Sequence, residues 1–587
     1  MTGDFQPRAL RDYAMIADGE RGALIGPDGE HAWLCFPAWD SPPLFAGLLG
    51  GPGGYLVTPA AARRVWGGYY EDRGLIWHSR WVTGDGAILE TREALARPAR
   101  RDRAVLLRRC RAARGGGRLH ALLDVRGPGG APMRDLRRDA AGWTARAGDA
   151  RIRWCGADDA GVRTAEDGAP VLALTIHLAE DERRDLVLEI TTADADGAAG
   201  TLDPDALWDA TERDWHAAVP SCEDTIAPRD ARLAYGVLTG LTSTAGGMVA
   251  AGTTALPERA GKGRNFDYRY AWIRDQCFAG RAAAVHGGPP DLLRGAVAFV
   301  AARVLDDRDD LRPAYTVSGA RMPGEHDLGL PGYPGAAAIA GNGASGQFQL
   351  DALGEALLLF ATAAEHDRAD PDAARAAAVA AGVAARHWTR PDAGIWETRD
   401  DLWTHSRLIC AAGLRGAARH LAAGPAQARE WTGLADTMIA ETSRTSLARD
   451  GRWRRAPGDD RVDAALLIPP LRGALPPGDP RTAATLDAVR RDLVQEGFVY
   501  RYAVNHEPLG TAEGAFTLCG FFLALAEHRQ GDTGRARAAF ERTRSGCATS
   551  GLFSEEYDVR QRQLRGNIPQ AFVHALLLES ATRLAGD

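Results

Sequence analysis

Residues 263–275 read GRNFDYRYAWIRD and combine four aromatic rings, three arginines and two aspartates in one short segment. Charged side chains at this density are seldom buried unless they are paired, so the segment is unusual material for a protein core. Aromatic faces, guanidinium forks and carboxylates together suit a ligand with apolar faces and many hydroxyl groups, as a sugar ring has. The segment therefore favours sugar binding, and the alternative is a buried ion-pair network that braces the start of a helix.

Two other segments place carboxylates beside aromatic rings, far apart in the chain. Glu397 follows Trp396 in GIWE, and Glu555 precedes Glu556 in FSEEY. Each motif alone is more often a packed ring beside a solvated carboxylate. An inverting glycosidase needs two carboxyl groups roughly 6.5–9.5 Å apart across the sugar, one protonated to release the leaving oxygen and one ionised to activate water. Only a closed architecture could bring these two segments together in that way.

A glycine-rich segment, GNGASG at residues 341–346, has the spacing of a dinucleotide-binding loop. That function requires a strand before the loop and a βαβ unit around it, whereas the surrounding pattern is helical. We therefore interpret the segment as a loop whose glycines let the backbone approach a ligand. Amide side chains for that ligand would come from Asn342, Gln347 and Gln349.

The composition is that of a globular chain with more than one domain. The 587 residues carry a formal net charge of -7, with 70 Lys+Arg against 77 Asp+Glu. A length of this order predicts two or more domains, and the scattered arginines provide no basic field for nucleic acid. The N-terminus lacks the features of a secretory signal and no long apolar run occurs, which predicts a cytoplasmic protein without a membrane partner.

The eight cysteines are spread along the chain without a CxxC pair. This spacing gives no zinc cluster and no redox motif, and we expect reduced, mostly buried thiols. The sequence thus predicts neither a metal nor a cofactor. It leaves the oligomeric state open, a homo-oligomer included.

The chain changes character near residue 220. Before it, short alternating segments between Gly-rich turns predict an antiparallel β-sandwich domain with a linker at residues 1–222. Within it, RGGGR at residues 114–118 reads as a hairpin turn between two strands. After it, residues 223–587 have a helical period, and candidate helices lie at 229–243, 272–286, 289–305, 347–365, 371–388, 405–422, 425–448, 480–494, 513–529, 532–546 and 568–585.

Paired helices of this size predict either an α/α toroid or an α-solenoid. The inserts at residues 306–346 and 496–512 are long enough to be functional, and in a toroid they would gather at one mouth. They therefore favour the toroid.

Several blocks of the chain resemble, in the same order, glycoside hydrolase family 15, the bacterial glucoamylase and trehalase group. The resemblance covers nearly the whole length. The blocks are GERGALIGPDGEHAWLCFPAWDSPPLF at 19–45, TTALPE at 253–258, GRNFDYRYAWIRD at 263–275, GNGASGQFQLDALGE at 341–355, GIWETR at 394–399, THS at 404–406, DAALLIPPLRGALPPGDPR at 463–481, SEEYD at 554–558 and GNIPQAF at 566–572.

This resemblance implies a β-sandwich followed by an (α/α)6 barrel, and inverting attack on an α-glucosidic bond from the non-reducing end. By position in the family motif, Glu397 would be the general acid and Glu555 the general base, with Glu556 the less favoured neighbour. The implied substrate contacts are Arg274 and Asp275 on the hydroxyl groups of the terminal glucose, with Trp272 and Trp396 as apolar walls. The interpretation of the glycine-rich loop as a ligand-binding loop adds Asn342 and Gln347 to the predicted substrate contacts. Arg264, Asp267 and Arg269 are assigned to bracing the helix start.

The chain also departs from the family pattern. Residues 336–340 are AAAIA where family members commonly read Ser-x-Pro-Val-Arg, so an arginine near the substrate loop is missing. Phe266 stands in place of a Trp, and Arg407 in place of a Lys. None of these changes affects the implied acid or base, so hydrolysis is better specified than the identity of the substrate.

The leading hypothesis for function is an exo-acting hydrolase of maltooligosaccharide-type α-glucosides. The alternatives are a trehalase, an α-1,6-glucosidase for isomaltose-type sugars, a sugar phosphorylase and a helical scaffold without activity. A phosphorylase needs only one catalytic carboxylate and a scaffold needs none, so the pair of glutamates argues against both. A further question concerns residues 37–41, which would either narrow the mouth of the barrel or only bury the domain interface.

Overall fold

The computed structural model describes residues 5–140, 142–195, 202–261, 263–504 and 507–586. In these ranges, the N-terminal part forms two antiparallel sheets of eight strands each. The first sheet has the order β1-β2-β3-β5-β10-β15-β14, with β4 paired to β3, and the second has the order β11-β12-β13-β16-β9-β8-β7-β6. The strands are β1 (Ala14–Ala17), β2 (Gly22–Ile25), β3 (Glu30–Cys35), β4 (Pro43–Phe45), β5 (Gly54–Pro59), β6 (Arg64–Tyr70), β7 (Trp77–Thr83), β8 (Ile88–Leu95), β9 (Arg103–Arg114), β10 (Gly117–Asp124), β11 (Arg134–Asp139), β12 (Gly142–Ala147), β13 (Ala150–Cys155), β14 (Gly161–Thr164), β15 (Pro170–Leu178) and β16 (Arg183–Thr191).

Alternation of side chains builds the sandwich core. In β13, Ala150, Ile152 and Trp154 are buried in the core between the sheets, whereas Arg151 and Arg153 lie on the opposite face. Because successive side chains of a strand point to opposite faces, each such strand contributes one apolar row to the core. The predicted β-sandwich is confirmed.

The predicted hairpin at residues 114–118 is wrong. β9 pairs with β8 and β16, while β10 pairs with β5 and β15 in the other sheet. The glycines therefore carry the chain from one sheet across to the next, with Gly115 at a positive φ of 63°. The local sequence indicated a turn, but the partners of each strand come from distant parts of the chain.

Helices dominate the rest of the chain. The described residues contain α1 (Pro204–Ala218), α2 (Pro228–Leu241), α3 (Ile273–His286), α4 (Asp291–Asp307), α5 (Leu350–Glu365), α6 (Pro371–His387), α7 (Thr404–His420), α8 (Pro425–Ser446), α9 (Ile468–Leu471), α10 (Pro480–Asp492), α11 (Thr517–Arg529), α12 (Thr533–Arg544) and α13 (Ala571–Arg583). All eleven predicted helices are confirmed, whereas α1 and the short α9 were not predicted. None of the helices in the described ranges has the length and apolarity that crossing a bilayer requires.

Six of the helices close into an inner ring. α3 contacts α5, and the ring continues through α7, α9 and α11 to α13, which packs back against α3. The remaining helices from α2 to α12 pack around the outside, as in an (α/α)6 barrel. α5 and α7 approach so closely that a Cβ at Gly354 would lie 2.7 Å from the backbone nitrogen of Cys410. The contact between α13 and α3 decides for the toroid over the solenoid.

Short strands lie in the connections between helices. They are β17 (Thr254–Arg259), β18 (Arg264–Asp267), β19 (Ala271–Trp272), β20 (Ala314–Tyr315), β21 (His326–Asp327), β22 (Ile339–Ala340), β23 (Val494–Gln495), β24 (Phe498–Val499), β25 (Ala515–Phe516), β26 (Glu556–Asp558) and β27 (Gln563–Arg565). Residues 263–275 are therefore mostly extended, and only the last three, from Ile273, are helical.

Candidate active site

A cavity of about 430 Å³ lies at the N-terminal ends of the inner helices. Trp272, Phe516 and Gln570 are the residues that precede α3, α11 and α13, and all three line the cavity. Because the inner helices present the same end to this mouth, the loops that lead into them meet there. The inserts at 306–346 and 496–512 both contribute lining residues. The structure brings together all eight predicted site residues at this cavity: Trp272, Arg274, Asp275, Asn342, Gln347, Trp396, Glu397 and Glu555.

Glu397 is held by three hydrogen-bond donors on a single oxygen. Its Oε1 accepts from Trp272 Nε1 at 2.8 Å, from Gln349 Nε2 at 2.9 Å and from Arg274 Nη2 at 3.1 Å. A proton carried by this carboxyl group would therefore lie on Oε2. The backbone of Glu397 has a positive φ of 55°, a conformation that costs a non-glycine residue on the order of 1–3 kcal/mol and tends to occur at functional sites.

Arg274 links Glu397 to the buried side chains of Gln349 and Asp351. Its Nη1 donates to Gln349 Oε1 at 2.9 Å and to Asp351 Oδ2 at 3.2 Å. The guanidinium group thus positions Glu397 as well as lining the cavity. Sequence reasoning found Gln349 only as a loop amide and missed Asp351, whose contact with Arg274 depends on how α3 and α5 pack.

Asp275 lines the cavity, and no protein side chain that the structure describes binds its carboxylate. Among the described residues, no side chain donates a hydrogen bond to it, although it is only 3% exposed. Burial, and to a lesser extent the charge of Glu397, raise the pKa of Asp275 to about 7, against the opposing effect of Arg274. A buried carboxyl group that accepts no side-chain hydrogen bond is suited to accept hydrogen bonds from a ligand's hydroxyl groups.

Glu555 has a different environment. Its Oε1 accepts a hydrogen bond from the Tyr268 hydroxyl group at 3.0 Å, whereas its Oε2 is buried and has no partner among the described residues. A Cβ at Gly566, where φ is +76°, would lie 3.3 Å from that Oε2. Burial and the nearby Glu258 carboxylate raise the pKa of Glu555 well above its usual range, although Tyr268 and two arginines lower it. Gly566 thus leaves open the space beside Glu555 Oε2.

The neighbouring Glu556 does not line the cavity. It lies in β26, and its Oε2 accepts a hydrogen bond from the backbone nitrogen of Gly514 at 2.6 Å. Adjacent residues of an extended segment point in opposite directions, so only one of the two glutamates can face the mouth. That residue is Glu555.

Charged residues that the sequence did not assign to the site form another wall of the cavity. Arg264 Nε donates to Glu258 Oε2 at 2.8 Å, and both residues line the cavity. Arg501 also lines it and donates to Glu513 Oε2 from Nη2 at 2.6 Å. The sequence placed Arg264 at a helix start, yet it lies in β18 and faces the cavity.

Two of the predicted side chains are fixed by contacts within the protein. Trp396 Nε1 donates to both carboxylate oxygens of Asp463 at 2.8 and 2.9 Å, which orients the indole ring at the cavity wall. Asn342 caps a short helical turn by accepting from Ala344 N at 2.9 Å, and its Nδ2 donates to the carbonyl oxygen of Asp267 at 3.3 Å. Asn342 thus shapes the glycine-rich loop with both ends of its amide.

Residues 37–41 of the sandwich domain contact Arg269 of the helical part of the chain. Arg269 Nη1 donates to the carbonyl oxygens of Trp39 and Ser41 at 3.3 Å each. Arg269 also pairs with Asp267, whose Oδ2 accepts from Gly341 N at 3.0 Å. Within the described part of the chain, the cavity lining includes none of residues 37–41. Their contacts favour a role at the domain interface.

Comparisons with known proteins identify the family of the chain. The family model for glycosyl hydrolases family 15 matches residues 236–582, and one for a trehalase-like N-terminal domain matches residues 2–114. A trehalase of Mycobacterium tuberculosis is 32% identical over 98% of this chain and 89% of its own length. A trehalase of Mycolicibacterium smegmatis is 30% identical, over 98% of this chain and 91% of its own length.

The fold resembles that of a bacterial glucoamylase solved in complex with acarbose. The TM-score is 0.70 with 13% sequence identity, over 99% of this chain and 95% of that chain. At this identity the likeness concerns the fold alone. With the family model matching more than half of the residues, the chain belongs to glycosyl hydrolases family 15 and is an inverting glycoside hydrolase.

Proposed function

We propose that this protein is a trehalase, which hydrolyses α,α-trehalose. The observation that carries the proposal is the similarity to two trehalases over 98% of the chain at 32% and 30% identity. The likeness to a glucoamylase, by contrast, is limited to the fold. The sequence analysis gave a trehalase only as an alternative. Trehalose now replaces maltooligosaccharides as the leading candidate substrate.

In the proposed reaction Glu397 is the general acid and Glu555 the general base. Glu397 gives the proton on Oε2 to the glycosidic oxygen as the bond to the anomeric carbon breaks. Glu555 accepts a proton from a water molecule, whose oxygen bonds to the same carbon from the opposite face. The products are one β-glucose from the attacked ring and one α-glucose from the leaving ring. Glu555 then releases its proton and Glu397 takes one up from solvent, which completes the cycle.

The surroundings of the two carboxyl groups support these roles. All three donors to Glu397 act on Oε1, which leaves Oε2 for a proton. The buried Oε2 of Glu555 has no protein partner among the described residues. In the same proposal Arg274, Asp275 and Trp272 bind the attacked glucose, and the charges of Glu258, Arg264 and Arg501 act on the base Glu555.

The test is release of glucose from trehalose, maltose, maltotriose and isomaltose in parallel, with the product anomers followed by NMR. We expect the highest kcat/KM for trehalose and equal initial amounts of α- and β-glucose from it. A higher kcat/KM for maltose or maltotriose would reject the trehalase and restore the glucoamylase-like hypothesis. Formation of glucose 1-phosphate when phosphate is present would indicate a phosphorylase.

A further inference from the structure

The outer face of the second sheet carries a set of arginines far from the catalytic residues in sequence. They occupy positions that are directly opposite one another on neighbouring strands. Arg134 of β11 faces Arg146 of β12, and Arg146 faces Arg151 of β13. The row continues through Thr191 to Arg103 of β9. We call the following set the arginine ladder: Arg103, Arg134, Arg137, Arg146, Arg151 and Arg153.

A second row runs beside the first. Arg137 faces Thr144, which faces Arg153, and these positions are two residues away from Arg146 and Arg151 on the same strands. Residues two apart on a strand share a face, so both rows lie on one surface. On the opposite face, Ala145 and Ile152 belong to the core between the sheets.

A β-bulge in β11 places Arg137 on this surface. The register shifts between Arg134 and Arg137, so three steps along β11 match two steps along β12. Within the bulge, Asp135 has a positive φ of 56°. Bulges change the direction of side chains, and a strained residue persists only where the surrounding structure holds it. Without the bulge, Arg137 would point to the core side.

Like charges directly opposite each other destabilise a sheet. The described residues provide no carboxylate partner for Arg137, Arg146 or Arg151, although Arg103 pairs with Glu189 at 2.6 Å. The ladder also lines a groove of about 790 Å³, with seven arginines against three carboxylates. This is a local excess of positive charge in a chain whose formal net charge is -7. At Arg137, Arg146 and Arg151, no carboxylate of the described residues relieves this repulsion.

We propose that this groove binds a linear oligophosphate. The four inter-strand steps from Arg134 to Arg103 span roughly 19 Å, at about 4.8 Å per step. Guanidinium forks bind phosphate oxygens in a bidentate manner, and a chain of phosphates would meet successive arginines along the rows. The groove lining in the described residues includes no aromatic ring, so the stacking on which single-stranded nucleic acids depend is missing. This site is independent of the proposed trehalase activity.

The test is calorimetric titration of the full chain with a short linear polyphosphate at low and moderate salt. We expect binding that weakens as salt rises, because arginines release counterions from the ligand. The double variant Arg146→Glu/Arg151→Glu should bind at least about tenfold more weakly. The matched control is Arg163→Glu, an exposed arginine on β14 of the other sheet, which should bind as the unmodified chain does.

A second double variant, Arg146→Gln/Arg151→Gln, guards against misfolding. It removes the repulsion between these two positions and two of the binding charges, so its melting temperature should equal or exceed that of the unmodified chain while polyphosphate binding weakens. Absence of polyphosphate binding to the unmodified chain, or equal affinity in the ladder and control variants, would overturn the proposal. Tighter binding of a single-stranded oligonucleotide or a heparin fragment than of polyphosphate would also overturn it.

Discussion

The two proposed catalytic carboxyl groups share one cavity but are held in different ways. Glu397 is 20% exposed at its side chain and has three donors on one oxygen, including the guanidinium of Arg274. Glu555 is buried, has one donor and lies close enough to Glu258 for that carboxylate to raise its pKa. The comparison indicates that hydrogen bonds fix the orientation of the proposed acid, Glu397, whereas burial and a neighbouring charge set the pKa of the proposed base, Glu555.

The largest expected effect comes from removing each carboxylate. Glu397→Gln and Glu555→Gln should each lower kcat by about 10²- to 10⁴-fold, because each loses a proton transfer. An α-glucosyl fluoride separates the two roles, since its leaving group needs no protonation. The Glu397 variant should hydrolyse it well and the Glu555 variant should not. Equal loss on trehalose and on the fluoride in both variants would contradict the assignment, provided that circular dichroism shows both to be folded.

The next effect concerns the space beside Glu555. Gly566→Ala should lower kcat by about tenfold, because the new Cβ would lie 3.3 Å from Glu555 Oε2, and should also cost on the order of 1 kcal/mol of stability. Gly287→Ala is the matched control, since Gly287 has a φ of +77° and nothing within 4 Å of the added Cβ. The control should lose stability and keep its kcat. Equal kcat in the two variants would show that the space beside Oε2 is not needed.

A smaller effect tests the electrostatic tuning of the base. In the proposed mechanism Glu555 acts when ionised, so activity should fall as the pH drops through its raised pKa. Glu258→Gln removes a charge that raises the pKa of Glu555, and the acidic limb of kcat/KM should move to lower pH. Tyr268→Phe removes a hydrogen bond that lowers this pKa, and the limb should move to higher pH. Glu325→Gln, a change at another lining carboxylate, should leave the limb in place. Shifts of the same sign in the first two variants would contradict the comparison.

The smallest effect is expected outside the cavity. Asp40→Ala should leave the ratio of kcat/KM for trehalose and maltose unchanged, because none of residues 37–41 lines the described cavity. A change in that ratio would indicate that residues 37–41 affect substrate preference at the mouth of the barrel. Activity assays on the two sugars at equal protein concentration suffice for this measurement.

Sequence reasoning found the candidate site residues but only part of their organisation. Glu397, Glu555 and Arg274 stand in recognisable segments, and the structure places all three at one cavity. It did not find Glu258 or Tyr268 as partners of Glu555, because their segments meet only when the barrel closes. The sequence also assigned Arg264 to a helix start, although its side chain contacts Glu258.

The fold shows the same division. Helical periodicity is a local property, and so all eleven predicted helices exist with ends shifted by only a few residues. Strand pairing depends on contacts between distant segments, which is why the turn at 114–118 joins two different sheets. The strained bulge at Asp135 left no signal in the sequence either.

The sequence by itself determined which residue types are available: two separated carboxylate segments, the arginine and aspartate of WIRD, and a run of amphipathic helices after a sheet domain. The tertiary structure alone decided that Glu555, and not Glu556, faces the cavity. It also decided which oxygen of Glu397 accepts the hydrogen bonds. It also decided that Glu258 raises the pKa of Glu555. The physical reason is that hydrogen bonds and electrostatic effects depend on distance in space, which closure of the helical ring sets for residues that are far apart in the chain.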